Sequence, residues 1–232
     1  MNRFVVKVRI NGALCEVATN NTGRLRELII QGKRALCLPN PQGKTAGKLL
    51  AVEDDHGWAM IDTAWQMRCF EEAHQRKLLP WLNGMRLVKK NPRLGDSVLD
   101  YLLEDEAKTP VFTELKSAVF REEPFAAYPD CPTLRGQRHL RELIRHTRQG
   151  GRSLLVFVAA LADVPAFRPS WSGDPVVCSL LEEAALAGVT IRSLQLVLLP
   201  RVGISLQNAA LPVIVQKNGK CPITEEFGTE DY

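Results

Sequence analysis

Three residues in this sequence have types and spacing suited to one chemistry. Asp100 ends Ser97-Val98-Leu99-Asp100, and Glu114 and Lys116 flank Leu115 a short way downstream. Alternate side chains of a strand share a face, so Glu114 and Lys116 point the same way and Asp100 can meet them from a neighbouring strand. Two carboxylates and the Leu115 carbonyl make an all-oxygen half-shell of the hard kind that Mg²⁺ or Mn²⁺ accepts, with water completing the octahedron. Lys116 then stands beside a metal-bound water, where it positions or helps deprotonate the nucleophile and offsets charge on a phosphate. The competing reading is a solvated cross-strand ion pair, worth about 0–1 kcal/mol and without chemistry.

Ser97–Leu103 and Pro110–Phe120 are rich in Val, Leu, Phe and Tyr and read as strands. The polar connection between them ends in Pro110, so the pair is expected to form a hairpin. Upstream, the period changes at Thr63 to one that fits a helix over about 63–78, with Trp65, Cys69 or Phe70, and Ala73 on one face and a stop at Pro80. His74 has polar neighbours and is expected to be exposed. A strand at Met85–Val88 precedes the two motif strands, and a loop rich in proline and acid spans Glu122 to Pro132. Thr133 can cap a helix running through Arg148, before Gly150-Gly151. Leu154–Leu161 is apolar throughout, as a buried strand is; Val176–Leu186 reads as helix and Val189–Leu199 as strand.

The order after residue 62 is helix, three strands, helix, strand, helix, strand. This αβββαβ core, with acidic residues on its second and third strands, resembles the restriction-endonuclease-like PD-(D/E)XK arrangement. On the helix after the motif, Arg135, Arg138, Arg141, Arg145 and Arg148 recur every three or four residues and share a side, where they can grip a phosphate backbone. His139, next to Arg138, either approaches the site or is a satisfied helix histidine, the second being the reading preferred here; Asp130 either helps bind the metal or caps its loop, and capping is the role expected.

The first sixty residues are of another kind. Phe4–Ile10 and Ala13–Thr19 flank Asn11-Gly12, the dipeptide of a tight hairpin. Arg34–Leu38, Lys48–Val52 and Trp58–Ile61 are further short strands between Gly and Pro connections. Five strands in that length predict a small OB-like β-barrel. Residues 1–50 carry nine Lys or Arg against Glu16 and Glu27, a basic bias that suits a polyanion. Arg24 and Arg26 follow the Asn20-Asn21-Thr22-Gly23 turn and are the barrel's candidate nucleic-acid contacts. The α/β (α+β) chain therefore divides into an OB-like barrel over 1–62, a nuclease-like domain over 63–215 and a flexible acidic tail over 216–232.

Composition narrows the class. With 45% hydrophobic and 24% charged residues and a net charge of +4, the chain reads as an ordinary globular protein. Its longest apolar run, Leu154 to Ala162, is too short to span a bilayer, and no secretory leader is apparent. The six cysteines form no Cys-x-x-Cys pair, which argues against a zinc ribbon and for reduced thiols in a cytoplasmic protein.

Several spaced motifs also resemble the sugar fermentation stimulation protein A family. Tyr128-Pro129-Asp130 and Thr133-Leu134-Arg135-Gly136-Gln137-Arg138-His139-Leu140 resemble its Phe-Pro-Asp-Ala-x-Thr-x-Arg-Gly-x-x-His-Leu signature. Glu114-Leu115-Lys116-Ser117 is similar to its Glu-Val-Lys-Ser, and Ser97-Val98-Leu99-Asp100 to its Ser-Arg-Ile-Asp. Asn21-Thr22-Gly23, Phe167-Arg168-Pro169 and Asp174-Pro175 are similar to further landmarks, so the resemblance covers about residues 3–215. It implies an OB-like domain joined to a PD-(D/E)XK nuclease-like domain in a DNA-binding protein, and it does not imply that sugar is a ligand. The chain departs from the pattern at Val98, where the family has Arg, at Cys131-Pro132, at Leu134, near Lys89 for an upstream Glu and near Met67 for an Asn.

Three functions compete on this reading. One is a Mg²⁺- or Mn²⁺-dependent nuclease in which Asp100 and Glu114 ligate the ion, Lys116 assists, and Arg24, Arg26, Arg135, Arg138, Arg141 and Arg145 hold DNA. The second keeps the nuclease scaffold only to bind DNA, and the third is a protein-interaction module. DNA is the expected partner, no membrane is, and self-association is left open.

Overall fold

A computed structural model describes residues 4–40 and 42–215. The tail read at 216–232 lies outside the described residues, as do Arg3 and Cys221. The first unit contains β1 (Val5–Ile10), β2 (Ala13–Ala18), β3 (Ala35–Pro39), β4 (Gly47–Asp54) and β5 (Gly57–Met60), ordered β1-β2-β4-β3 with β5 also on β4. Asn11 and Gly12 both adopt positive φ, 49° and 84°, and close the β1–β2 hairpin at Ile10 and Ala13 as expected.

The chain then enters α1 (Thr63–Gln75), where Asp62 caps by accepting from the Trp65 amide at 2.9 Å. Phe70 and Ala73 are buried as expected, but Gln66 takes the third buried position in place of Trp65. His74 is half-buried rather than exposed, because its Nε2 meets the Met85 carbonyl at 2.9 Å across the 80–85 turn. Next come β6 (Arg86–Lys90), β7 (Arg93–Leu94), β8 (Ser97–Val98), β9 (Tyr101–Glu104) and β10 (Pro110–Ser117).

The single strand expected over 97–103 is divided. β8 turns back on β7, and only β9 joins β10, from Tyr101↔Thr113 to Glu104↔Pro110. The Leu99 amide donates to Pro92 and the Asn91 amide to Asp100, so local bonds hold the bend and leave Asp100 just before β9. The strand expected to continue to Phe120 ends at Ser117. Phe120 opens β11 (Phe120–Glu122), which pairs with β12 (Phe125–Tyr128). The segment read as a loop after Glu122 thus contains a strand.

Beyond α2 (Leu134–Arg148) lie β13 (Arg152–Ala159), β14 (Phe167–Pro169), α3 (Pro175–Leu186), β15 (Thr190–Leu199) and β16 (Gly203–Asn208). The main sheet runs β16-β15-β13-β10-β9-β6, parallel in its β10, β13 and β15 centre, where β13 is buried along nearly its whole length. β11, β12 and β14 form a separate small sheet, and Phe157 of β13 stacks on Phe167 of β14 with centroids 3.8 Å apart. No helix among the described residues is long and apolar enough to cross a membrane.

Two helix starts are held by one carboxylate, which follows a turn closed by the Gly173 and Asp174 amides donating to Ser170. Asp174 caps α3 through Oδ1, which accepts from Val176 and Val177, while its Oδ2 accepts from the Thr133 amide and Gln137 Nε2 at the start of α2. The turn leaves no room at Gly173, where an added Cβ would lie 1.9 Å from the Pro129 carbonyl oxygen. Gly173→Ala is therefore expected to destabilise by roughly 3 kcal/mol or more, since backbone rather than a flexible side chain must move. Urea unfolding reads this directly, and an unchanged midpoint would show that the turn yields freely.

Candidate metal centre and nucleic-acid interface

Strand alternation places Glu114 and Lys116 on one face of β10, and the bend before β9 brings Asp100 to the same place. Asp100 Oδ2 accepts from the Leu115 amide at 2.8 Å, and Glu114 Oε1 accepts from Lys116 Nζ at 2.6 Å. Glu114 is 3% exposed, and the Lys116 side chain is 11% exposed. This is not the solvated pair of the competing reading. The three expected residues converge, in a site that burial makes electrostatically expensive.

α2 adds His139, for which the sequence favoured a satisfied helix histidine over an approach to the site. Thr133 caps this helix by accepting from the Gly136 amide, and the buried face turns His139 toward β10. His139 Nδ1 lies 2.5 Å from Glu114 Oε1 and 3.4 Å from Lys116 Nζ. The approach to the site is thus the outcome for His139, and only the fold shows that Glu114 is its partner. From α1, Gln66 donates to Ser117 Oγ at 2.8 Å, so Gln66 rather than its neighbour Met67 reaches the motif strand.

The proton balance follows from these contacts. Burial works to raise the Glu114 pKa, but Lys116 and His139 outweigh it and hold the carboxyl below its ordinary value. Burial would also discharge Lys116, yet Glu114 beside it leaves its pKa raised and the ammonium charged. Asp100 goes the other way. Burial first, then the Glu114 charge, push it up to about 7, against the Leu115 amide, Lys116 and Arg135.

Because the folded value of Asp100 lies above the ordinary 3.8, its contribution to stability is full below that value and is lost as pH rises through about 7. Each tenfold difference in proton affinity between folded and unfolded chains corresponds to about 1.4 kcal/mol. Asp100→Asn is therefore expected to stabilise the metal-free protein at alkaline pH by a few kcal/mol, and to be near neutral around pH 4. Thermal melts of both proteins in chelator at the two pH values check this; a pH-independent difference would contradict it.

A divalent cation at this site would meet a short set of donors. Among the described residues no three His, Cys, Asp or Glu side chains group around one point, so the side-chain ligands are limited to two carboxylates. Those two fit. Glu114 Oε2 is buried and has no hydrogen-bond partner among the described residues, while Oε1 takes both donors. An orphaned carboxylate oxygen beside a second carboxylate that is driven to protonate is a place a hard cation would relieve.

The arginines of α2 lie outward. Arg135, Arg138, Arg141, Arg145 and Arg148 are all exposed, as the spacing requires. Arg145 pairs with Glu142, Arg148 with Glu183 at 2.9 Å, and Arg135 reaches His139. Arg138 and Arg141 have no ion pair among the described residues. Arg24 and Arg26 are exposed on the turn after Gly23, and that turn is tied to the second unit by Asp130, whose Oδ2 accepts from the Leu25 amide at 2.6 Å. Asp130 therefore caps across the junction rather than within its own loop. It sets the Arg24 and Arg26 segment beside the loop leading into α2. The five described cysteines, Cys15, Cys37, Cys69, Cys131 and Cys178, are free thiols.

Comparison with known proteins agrees with this architecture. Residues 1–61 match the family described as SfsA N-terminal OB domain, and residues 64–201 match the sugar fermentation stimulation protein RE domain. The sugar fermentation stimulation protein homolog of Pyrococcus furiosus is 48% identical over 196 residues, covering 84% of this chain and 85% of the relative. That of Archaeoglobus fulgidus is 40% identical over 215 residues, covering 93% and 92%. A solved structure described as Pyrococcus furiosus SfsA in complex with Ca²⁺ superposes with a TM-score of 0.88 at 45% identity, over 92% of each chain.

Proposed function

The chain belongs to the sugar fermentation stimulation protein family, and from the site it carries we propose that it is a DNA-binding protein with a divalent-cation centre for phosphodiester hydrolysis. The observation that carries this reading is the buried Oε2 of Glu114, without a hydrogen-bond partner among the described residues, beside the buried carboxyl of Asp100. Asp100, Glu114 and the Leu115 carbonyl would hold Mg²⁺ or Mn²⁺. The Ca²⁺ in the structure of the Pyrococcus furiosus relative supports an oxygen-ligated cation in this family. When bound, the cation would polarise a phosphate and lower the pKa of a coordinated water.

The protein's own groups then have defined parts. Lys116 is held charged by Glu114 beside it, and that charge would offset the charge of a phosphate at the cation. Arg135 stands at the site end of α2, and Arg138 and Arg141, without an ion pair among the described residues, carry charge along the helix. Arg24 and Arg26 extend the basic surface from the barrel. A second reading, DNA held without cleavage, is favoured by the short donor set, since no three His, Cys, Asp or Glu side chains among the described residues group to hold an ion.

The binding half of the proposal is tested in chelator. Retention of fluorescent duplex DNA should weaken with salt, and the Arg138→Ala/Arg141→Ala pair should lower the slope of log affinity against log salt by about 2, near 0.9 per phosphate contact. Anisotropy titrations across salt measure the slope; an unchanged slope would remove α2 from the interface.

A further inference from the structure

We propose that His139 is the positioning residue of the metal centre, setting which Glu114 oxygen faces the cation and tethering Arg135 beside it. The inference rests on the metal-centre reading above and concerns a side chain that would touch neither the cation nor the substrate.

The argument begins with hydrogen-bond direction. An arginine Nε–H can only donate, and Arg135 Nε lies 3.4 Å from His139 Nε2, one helical turn away. His139 Nε2 therefore accepts, which places the ring proton of the neutral imidazole on Nδ1. Nδ1 is the atom 2.5 Å from Glu114 Oε1, so the ring donates to the carboxylate. Lys116 Nζ, which is 3.4 Å from Nδ1 and cannot accept from it, donates at the shorter distance of 2.6 Å to the same carboxylate oxygen, as Nδ1 does.

Two donors on Oε1 have a consequence for Oε2. A carboxylate terminus turns easily about its last torsion and presents either oxygen. With Oε1 held from two directions by groups on α2 and β10, that turn is blocked, and Oε2 is the oxygen left buried without a partner. His139 is itself 1% exposed and packed in the inner face of α2, so its ring is fixed before any ion arrives. At the other ring nitrogen it accepts from Arg135 Nε at 3.4 Å, which ties that side chain to the ring that meets Glu114. One imidazole thus links the helix that carries the arginines to the strand that carries the ligand, as an outer partner of a metal ligand does.

The two amide replacements separate this role from mere filling of space. The Asn side-chain amide donates from about the place of Nδ1, whereas Gln carries its amide at about the place of Nε2 and leaves Nδ1 unreplaced. The test is calorimetric titration of Mn²⁺, without nucleic acid, into the full chain as wild type, His139→Asn, His139→Gln, His139→Leu and Asp100→Asn, with a thermal melt of each. We expect wild type to bind, Asp100→Asn to lose binding, and His139→Leu to bind about 10- to 100-fold more weakly. His139→Asn should recover to within several-fold of wild type, and His139→Gln should not.

If His139→Leu does not fold, the Asn and Gln variants decide alone. Equal affinity in those two, or wild-type affinity in His139→Leu, would overturn the positioning role while leaving the metal centre in place. Absence of Mn²⁺ binding in wild type would overturn the metal centre itself, and this inference with it.

Discussion

Glu114→Gln is expected to reduce metal-dependent DNA cleavage by about 10³-fold, the scale of losing a preorganised charge in a dry site, while DNA retention in chelator stays within a few-fold of wild type. The amide keeps the shape of the side chain and can still accept from His139 Nδ1 and Lys116 Nζ, but it removes the negative charge that a cation needs at the buried Oε2 position. The two halves of this result are separable because the exposed arginines of α2 do not touch Glu114. The substitution also leaves Lys116 as a buried cation without its counterion, so a lowered melting temperature is expected, and rates must be compared at temperatures where both proteins are folded. Initial rates on supercoiled DNA in Mn²⁺ measure the effect. Cleavage by the variant at the wild-type rate would place the chemistry elsewhere.

The second large effect concerns the junction of the two units. Arg121 of β11 donates to Asp54 Oδ2 on β4 through both Nε and Nη2, at 3.0 and 2.6 Å, and to the Ala162 carbonyl at 2.7 Å. The two side chains are 7% and 6% exposed, so neither charge is served by water. Arg121→Ala is expected to destabilise the protein by roughly 3–5 kcal/mol, because it leaves Asp54 buried and uncompensated. Replacing both partners with apolar residues, as in Asp54→Leu/Arg121→Met, should recover most of that loss, since the cost lies in the orphaned charge. Urea unfolding of the single and double variants tests the cycle; a loss under about 1 kcal/mol for Arg121→Ala would mean that Asp54 finds water.

Local pattern was enough for much of this molecule. Asn11-Gly12 specified a hairpin because its turn needs two positive-φ residues in succession, and Thr133 before a periodic run specified the start of α2. The Glu-Leu-Lys spacing placed two side chains on one face of a strand whatever its neighbours were. What was not legible depends on partners distant in sequence. β12 is recruited by β14, some forty residues on, in a parallel pairing that no local signal announces, and so its segment read as loop. The break at Leu99-Asp100 is held by bonds to Asn91 and Pro92, inside a stretch whose composition alone favours one strand. His139 and Asp130 were both visible as polar residues in telling places. Their targets, Glu114 on β10 and the Leu25 amide in the barrel, exist only once the chain has folded.

The metal centre is the claim on which the functional reading turns, and anomalous diffraction from crystals soaked in Mn²⁺ tests it most directly. The expected result is a peak in contact with both Asp100 and Glu114, lost in crystals of Asp100→Asn. A peak at another site, or none beside these carboxylates at saturating Mn²⁺, would contradict the account and leave a protein that uses this fold to hold DNA.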